Sequence, residues 1–143
     1  VDLLVAAPIV TGETMGTAVS EAAFDRVIDH TVRGPFFATR VVTEAMVEHD
    51  DPGRVVAVGP TAASVGPALA ETAAGALERM TRRTAREMAD DGITVNCVVP
   101  GSVGPPDGRG QFPEAPVPAV LFFASEAADA FSGECLAATG RPR

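Results

Sequence analysis

Side chains able to do chemistry are sparse in this sequence. His30 and His49 stand far apart, with no Cys, His or Asp cluster at metal-ligand spacing. His30 therefore reads as a packed or solvent-edge imidazole, and His49-Asp50-Asp51 as a turn rather than a metal site. Cys97 and Cys135 lie in apolar, strand-like runs and read as small core residues in a reducing compartment, with a disulfide as the lesser reading. Asn96 sits in a strand and reads as a structural hydrogen-bonding residue. Arg79, Arg82, Arg83 and Arg86 make a basic stripe, read first as a solvated helix face and second as a docking surface for an acidic partner. The chain has no Lys and no Tyr; its eleven basic residues are all Arg.

The stretch RMTRRTAREMADDGITVNCVVPG (79–101) shows how such residues are positioned: a charged amphipathic helix, a glycine stop and a buried strand ending in Pro-Gly. The same grammar runs through the chain. VDLLVAAP (1–8) is an apolar run closed by a proline, and residues 9–19 are a Gly/Thr-rich loop. Ser20 is an N-cap with Glu21 in the first turn. Phe24, Val27, Ile28, Thr31 and Val32 recur at helical spacing, and Phe36, Val41, Val42, Ala45 and Met46 continue the stripe to about 48. Gly34-Pro35 interrupts it and predicts a kink.

HDDPG (49–53) is a turn, RVVAV (54–58) a buried strand and 59–67 a loop of small residues. A helix over about 68–90 carries Leu69, Ala73, Leu77, Met80 and Met88 inward, with Glu78–Arg82 and Arg83–Glu87 as (i, i+4) pairs. Ala70 to Ala76 make its first half thin enough for another helix to approach closely. Gly92 is its left-handed stop. ITVNCVV (93–99) is an apolar central strand, 100–116 a Pro/Gly loop, 116–125 a short helix and 133–139 a last strand. Alternating strands and helices imply right-handed crossovers and a parallel sheet: one α/β domain over 1–143, with about four strands and flanking helices.

Composition narrows the function. The chain has 143 residues, 46% of them hydrophobic, enough for a core, and a net charge of −8. An acidic surface repels phosphate backbones and anionic membranes, which argues against nucleic-acid and membrane partners. No apolar run approaches the roughly 20 residues of a membrane span, and the expected location is the cytoplasm. The chain opens at Val1, without an initiator Met, at the edge of a strand. That fits a fragment, a processed chain or a trimmed one.

The order and wording of these segments resemble the C-terminal half or more of a short-chain dehydrogenase/reductase. FDRVIDHTVRGPFFATRVV looks like that family's fourth helix and GRVVAVG like its fifth strand. TAREMADDGITVNCVVPG is close to its run into the sixth strand and Pro-Gly loop. AVLFFASEAADAFSGECLAATG resembles its last helix and strand. The resemblance implies a Rossmann-type sheet and an NAD(P)-dependent oxidoreductase. It implies no cofactor for this chain alone, and NAD(P) if the chain belongs to a larger protein or a complex. The family's pyrophosphate turn follows its first strand. TGETMG (11–16) follows what matches the fourth and reads as a loop with spare glycines.

The resemblance also places the family's catalytic groups. Its Asn-Asn-Ala-Gly stands at Ala6, Ala7, Pro8 and Ile9, and its helix-four Asn at Thr31. Its strand-five Ser falls at Pro60, and its Tyr and Lys near Ala70 and Ala74, with Thr61 or Ser64 as conceivable replacement hydroxyls. No catalytic residue is expected to survive. What remains is the Pro100-Gly101-Ser102-Val103 loop, with Pro100, Gly101 and Val103 as vestigial cofactor contacts and Pro105 where the family has a Thr. The expectation is a non-catalytic, scaffolding subunit that pairs through its two long helices, as a homodimer or with a full-length relative, without metal. The first alternative is the C-terminal part of an NAD(P)-dependent oxidoreductase, and the second is different chemistry on the same scaffold.

Overall fold

The computed structural model describes residues 1–8, 19–100 and 116–138. Four strands, β1 (Leu3–Ala6), β2 (Arg54–Val58), β3 (Thr94–Pro100) and β4 (Cys135–Ala138), form one parallel sheet in that order. Val55, Val56 and Ala57 of β2 and Val95 to Val98 of β3 are buried, as expected of inner strands packed on both faces. β1 and β4 are the edges. Among the described residues no helix is long and apolar enough to cross a membrane.

One face of the sheet carries most of the helical cover. Helix α1 (Glu21–Ile28) starts where the Ser20 hydroxyl accepts the Ala23 N–H at 3.2 Å. It runs through a π-helical turn, Asp29–Arg33, into α2 (Gly34–Glu48). The kink predicted at Gly34-Pro35 is realised as this turn. Pro35 cannot donate to the Thr31 carbonyl and its ring crowds it, so the helix widens just before the proline. Gly34 N–H reaches back to the Asp29 carbonyl, five residues away.

The extra residue rotates everything after it. The buried face runs Val27, Thr31, Pro35, Thr39, Thr43, Met46, while Phe36 and Val41 of the expected stripe are 47% and 63% exposed.

A four-residue helix, α3 (Ala62–Val65), occupies part of the expected 59–67 loop. Helix α4 (Pro67–Glu87) follows, with Gly66 at φ 83° and Pro67 at its first position. Leu69, Ala70, Ala73, Leu77, Thr81 and Ala85 face inward. The two anticipated ion pairs form, Arg82–Glu78 at 2.8 Å and Arg83–Glu87 at 2.6 Å. Gly92 ends the segment at φ 68°. Ala70 packs with Val27, Val65 and Leu69, and Ala73 is fully buried. The thin part of α4 therefore serves this chain's own core, leaving Glu71, Thr72 and Gly75 on the outside.

The second face is covered by the short helix α5 (Pro116–Phe123). There Ala119, Phe123, Ala128 and Ala138 pack on Val56 and Val98. On β1, Leu3 and Val5 remain 42% and 41% exposed. Arg54 at the start of β2 is tied to Asp129 at 2.7 Å.

The cysteines require a correction. Cys97 and Cys135 are register partners on β3 and β4, with Cα atoms 4.6 Å apart, and they form a disulfide. Both pack with Ala57 and Leu77 as small core residues. What the sequence reading underweighted was parallel register, which sets them side by side from 38 residues apart.

Two buried hydroxyls, Thr39 Oγ1 and Thr81 Oγ1, have no hydrogen-bond partner among the described residues. Thr81→Val keeps the shape and removes an unsatisfied polar atom. It is expected to raise unfolding stability by about 1 kcal/mol, read as a higher urea midpoint at unchanged slope; a lower midpoint would show that the hydroxyl is satisfied.

Candidate functional site

The carboxyl ends of the strands are where an open parallel sheet offers a crevice to ligands. Here three strands run into prolines. Pro8 follows β1 and is half-buried, Pro60 follows β2 and is buried, and Pro100 closes β3 and is buried. None has an N–H to offer. The Gly59 N–H is already given to the Val98 carbonyl at 2.9 Å. Of the residues at these ends, Ala7, Pro8, Gly59, Pro60, Thr61, Val99 and Pro100, none carries a charge.

The hydroxyls nearest this edge are engaged locally. Thr61 Oγ1 accepts the Ser64 N–H at 3.1 Å, and Ser64 Oγ donates to the Thr61 carbonyl at 2.9 Å, which together start α3. Thr61 and Ser64 therefore cap a helix.

Behind this edge, the π-turn packs against α4. Thr31 lies in that turn, fully buried, and its hydroxyl donates to the Val27 carbonyl at 2.6 Å. Such back-bonding commits the hydroxyl proton to a carbonyl of its own helix. Ala70 lies in the facing first turns of α4, 8% exposed, and Ala74 is half-buried nearby in sequence. The positions that the resemblance assigns to a proton relay thus hold Thr31, Pro60, Ala70 and Ala74. None of these side chains titrates near neutral pH.

The described residues at these strand ends offer few groups to a dinucleotide's phosphates. A pyrophosphate is held by N–H donors or cations; the prolines at these ends have no N–H, and no side chain among these residues is a cation. Of the expected vestigial contacts, Pro100 is the buried last residue of β3, while Gly101 and Val103 lie outside the described residues, as do the TGETMG segment and Pro105.

The remaining candidates resolve into structure. Asn96 is fully buried; its Nδ2 donates to the Phe131 carbonyl at 2.9 Å and its Oδ1 accepts the Glu134 N–H at 3.1 Å. Its structural role, read from sequence, holds. His49 Nδ1 lies 2.7 Å from the Ala45 carbonyl at the end of α2, and His30 is exposed. Among the described residues there is no group of three or more His, Cys, Asp or Glu that could hold a metal ion. Arg79, Arg82, Arg83 and Arg86 are all exposed, as a solvated face requires. Glu44, hydrogen-bonded to Arg40 at 2.7 Å, raises the pKa of that exposed guanidinium, far from the strand ends.

Open clefts among the described residues lie elsewhere. One, of about 310 Å³, is lined by Pro52, Arg54, Gly92, Thr94 and Asp129 at the amino ends of the strands. Another, of about 490 Å³, runs between the last turns of α4 and the turn at Ser132–Glu134. The break in the helix at Gly34-Pro35 was expected from sequence, but its form, a π-turn over Asp29–Arg33 with Thr31 buried in it, was not.

Comparison with known proteins adds an independent line. The family model described as short chain dehydrogenase matches residues 1–114. D-xylose 1-dehydrogenase of Caulobacter vibrioides is 33% identical over 137 residues, an alignment covering 80% of this chain and 55% of that protein. A 3-oxoacyl-[acyl-carrier-protein] reductase of Rickettsia conorii is 28% identical over 160 residues, covering 97% and 66%. Among solved structures, a short chain dehydrogenase from Leptospira borgpetersenii with bound NAD+ superposes with a TM-score of 0.79 at 20% identity, covering 97% of this chain and 63% of that one. One from Mycobacterium smegmatis gives 0.78 at 22%, covering 99% and 60%. The chain spans about half the length of D-xylose 1-dehydrogenase, and the two solved structures share this chain's fold.

Proposed function

The chain belongs to the short-chain dehydrogenase/reductase family, and from that premise we propose that it is a non-catalytic member acting through association. One observation carries the reading. Where the resemblance puts the proton relay, the chain holds a buried Thr31 bonded to its own helix, a buried Pro60, and the alanines Ala70 and Ala74. Reducing or oxidising a carbonyl requires a positioned group that gives or takes a proton with a pKa near the working pH. With no Tyr and no Lys in the sequence, no shift of alignment supplies that pair.

The purified chain is expected to show no turnover above background with NAD(H) or NADP(H) and a panel of carbonyl and alcohol substrates, followed at 340 nm. It is also expected to give no calorimetric signal at micromolar NAD(P). Turnover that survives repurification overturns the proposal.

The partner is a second copy of this chain or a full-length family member. Support comes from the outer sides of α1 and α2, where Phe24, Phe36, Phe37 and Val41 are 44%, 47%, 48% and 63% exposed. Exposed apolar side chains along one helical run support an association surface there. Val41→Glu is expected to split the complex in light scattering while leaving the melting temperature of the monomer within a few degrees. A monomer at every concentration, with no capture of a full-length relative, would sink this part.

A second reading has its own support: the chain spans 55% of D-xylose 1-dehydrogenase. It is then the C-terminal portion of an NAD(P)-dependent oxidoreductase. Co-expression with the N-terminal half of a relative separates the two, because catalysis restored in the mixture favours the second.

A further inference from the structure

The chain's only two cysteines, Cys97 and Cys135, are bonded to each other, yet their surroundings differ. Cys97 is fully buried in the middle of the sheet against Ala57 and Leu77. Cys135 opens the four-residue edge strand β4 and is half-buried. The outer edge of β4 has no partner strand among the described residues, and its Leu136 is 44% exposed. Non-covalently, β4 is held by its ladder to β3, from Cys97↔Cys135 to Pro100↔Ala138, by the packing of Cys135 on Ala57 and Leu77 and of Ala138 with α5, and by the bonds of Asn96 and Ser132 to the turn before it. Short edge elements of this kind open locally at much lower cost than a core strand.

We propose that the Cys97–Cys135 pair is a thiol–disulfide exchange site, through which small-molecule thiols of the glutathione class tether and release β4. A thiolate attacks Sγ of Cys135, the less buried of the two residues. The S–S bond breaks, a mixed disulfide forms on Cys135, and the electron pair stays on Cys97 Sγ, which takes up a proton. A second thiolate attacks the small-molecule sulfur of the mixed disulfide. The products are the small-molecule disulfide and a Cys135 thiol. Two electrons have passed from two thiols to the protein; run backwards, the small-molecule disulfide is the oxidant. A thiolate leaving inside an apolar core is disfavoured by burial. Exchange therefore runs through the opening of β4, which lets water reach Cys97. In the reduced form no covalent link holds β4 when it opens, so it opens more often.

The test uses the full chain, equilibrated across ratios of reduced to oxidised glutathione, acid-quenched, alkylated and weighed intact. Hydrogen exchange is read on Cys135–Ala138 and on Arg54–Val58. The expected result is a reversible change of two alkyl groups per chain. Exchange at Cys135–Ala138 should be at least tenfold faster in the reduced form, with Arg54–Val58 unchanged. Cys135→Ser under oxidising conditions should match the reduced form. Two thiols that stay open to alkylation at every ratio overturn the proposal, as does equal protection of β4 in both forms. So does a bond reduced only when Arg54–Val58 also loses protection, which makes it a fixed cross-link. If Cys135→Ser does not fold, the two redox forms of the parent chain carry the comparison.

Discussion

Ala73→Arg is expected to abolish cooperative folding. Ala73 is 0% exposed on the inner side of α4, where that helix covers β3. An arginine there places an unpaired charge where neither water nor a carboxylate reaches it, a cost of about 3–5 kcal/mol. Overpacking adds about 1–3 kcal/mol. A domain of this size has roughly 5–15 kcal/mol in hand, so most or all of the margin goes. Gly75→Arg, two residues along, is the control. Nothing lies within 4 Å of the Cβ it would gain, and replacing a helical glycine stabilises by about 0.5–1 kcal/mol. Circular dichroism in urea reads both. If Ala73→Arg unfolds within 1 kcal/mol of the parent, the inward placement of this face is wrong, and the alanines belong to an outer contact surface.

That contrast shows what the sequence could and could not disclose about α4. Its length, its (i, i+4) ion pairs and the glycine stop follow from local rules, and all were legible. Small residues, however, mark close approach without saying to what. Ala70 packs with the chain's own Val27, Val65 and Leu69, and Ala73 is fully buried. The α1–α2 run failed for a different reason. A 3.6-residue stripe assumes an unbroken helix, and the π-turn inserted one residue ahead of Pro35. Half the buried face is threonine, Thr31, Thr39 and Thr43, which an apolar count passes over. Phe36 and Val41, the strongest apolar signals, ended outside.

The candidate site was legible as a set of replacements, because Pro60, Thr31, Ala70 and Ala74 are read directly from the chain. What sequence could not give was the use each group makes of its neighbours. The Thr31 hydroxyl is spent on Val27, and Thr61 and Ser64 are spent on starting α3. Nor could it give the disulfide. Cys97 and Cys135 are brought side by side only by the register of β3 against β4.

Asn96→Leu should be the second most damaging substitution, and its effect is local before it is global. Asn96 is the polar residue among the buried positions of β3, which are otherwise Val, Cys and Pro, and it is 0% exposed. Its amide holds the turn before β4 from both sides, donating to the Phe131 carbonyl at 2.9 Å and accepting the Glu134 N–H at 3.1 Å. Leucine matches its bulk but leaves both backbone groups without that partner. Each such group costs about 1–3 kcal/mol, so a loss of about 2–4 kcal/mol is expected once partial hydration of the exposed turn is allowed for. Ser132 makes a smaller contribution to the same staple, its Oγ accepting the Val95 N–H at 3.1 Å, so Ser132→Ala should cost about 1 kcal/mol. Because both residues fix the 131–134 turn, the double variant should lose less than the sum of the two. Hydrogen exchange should show 131–138 losing protection before β2 does. A leucine variant within 1 kcal/mol of the parent, with the turn still protected, would mean that the Asn96 bonds do not hold β4 in place.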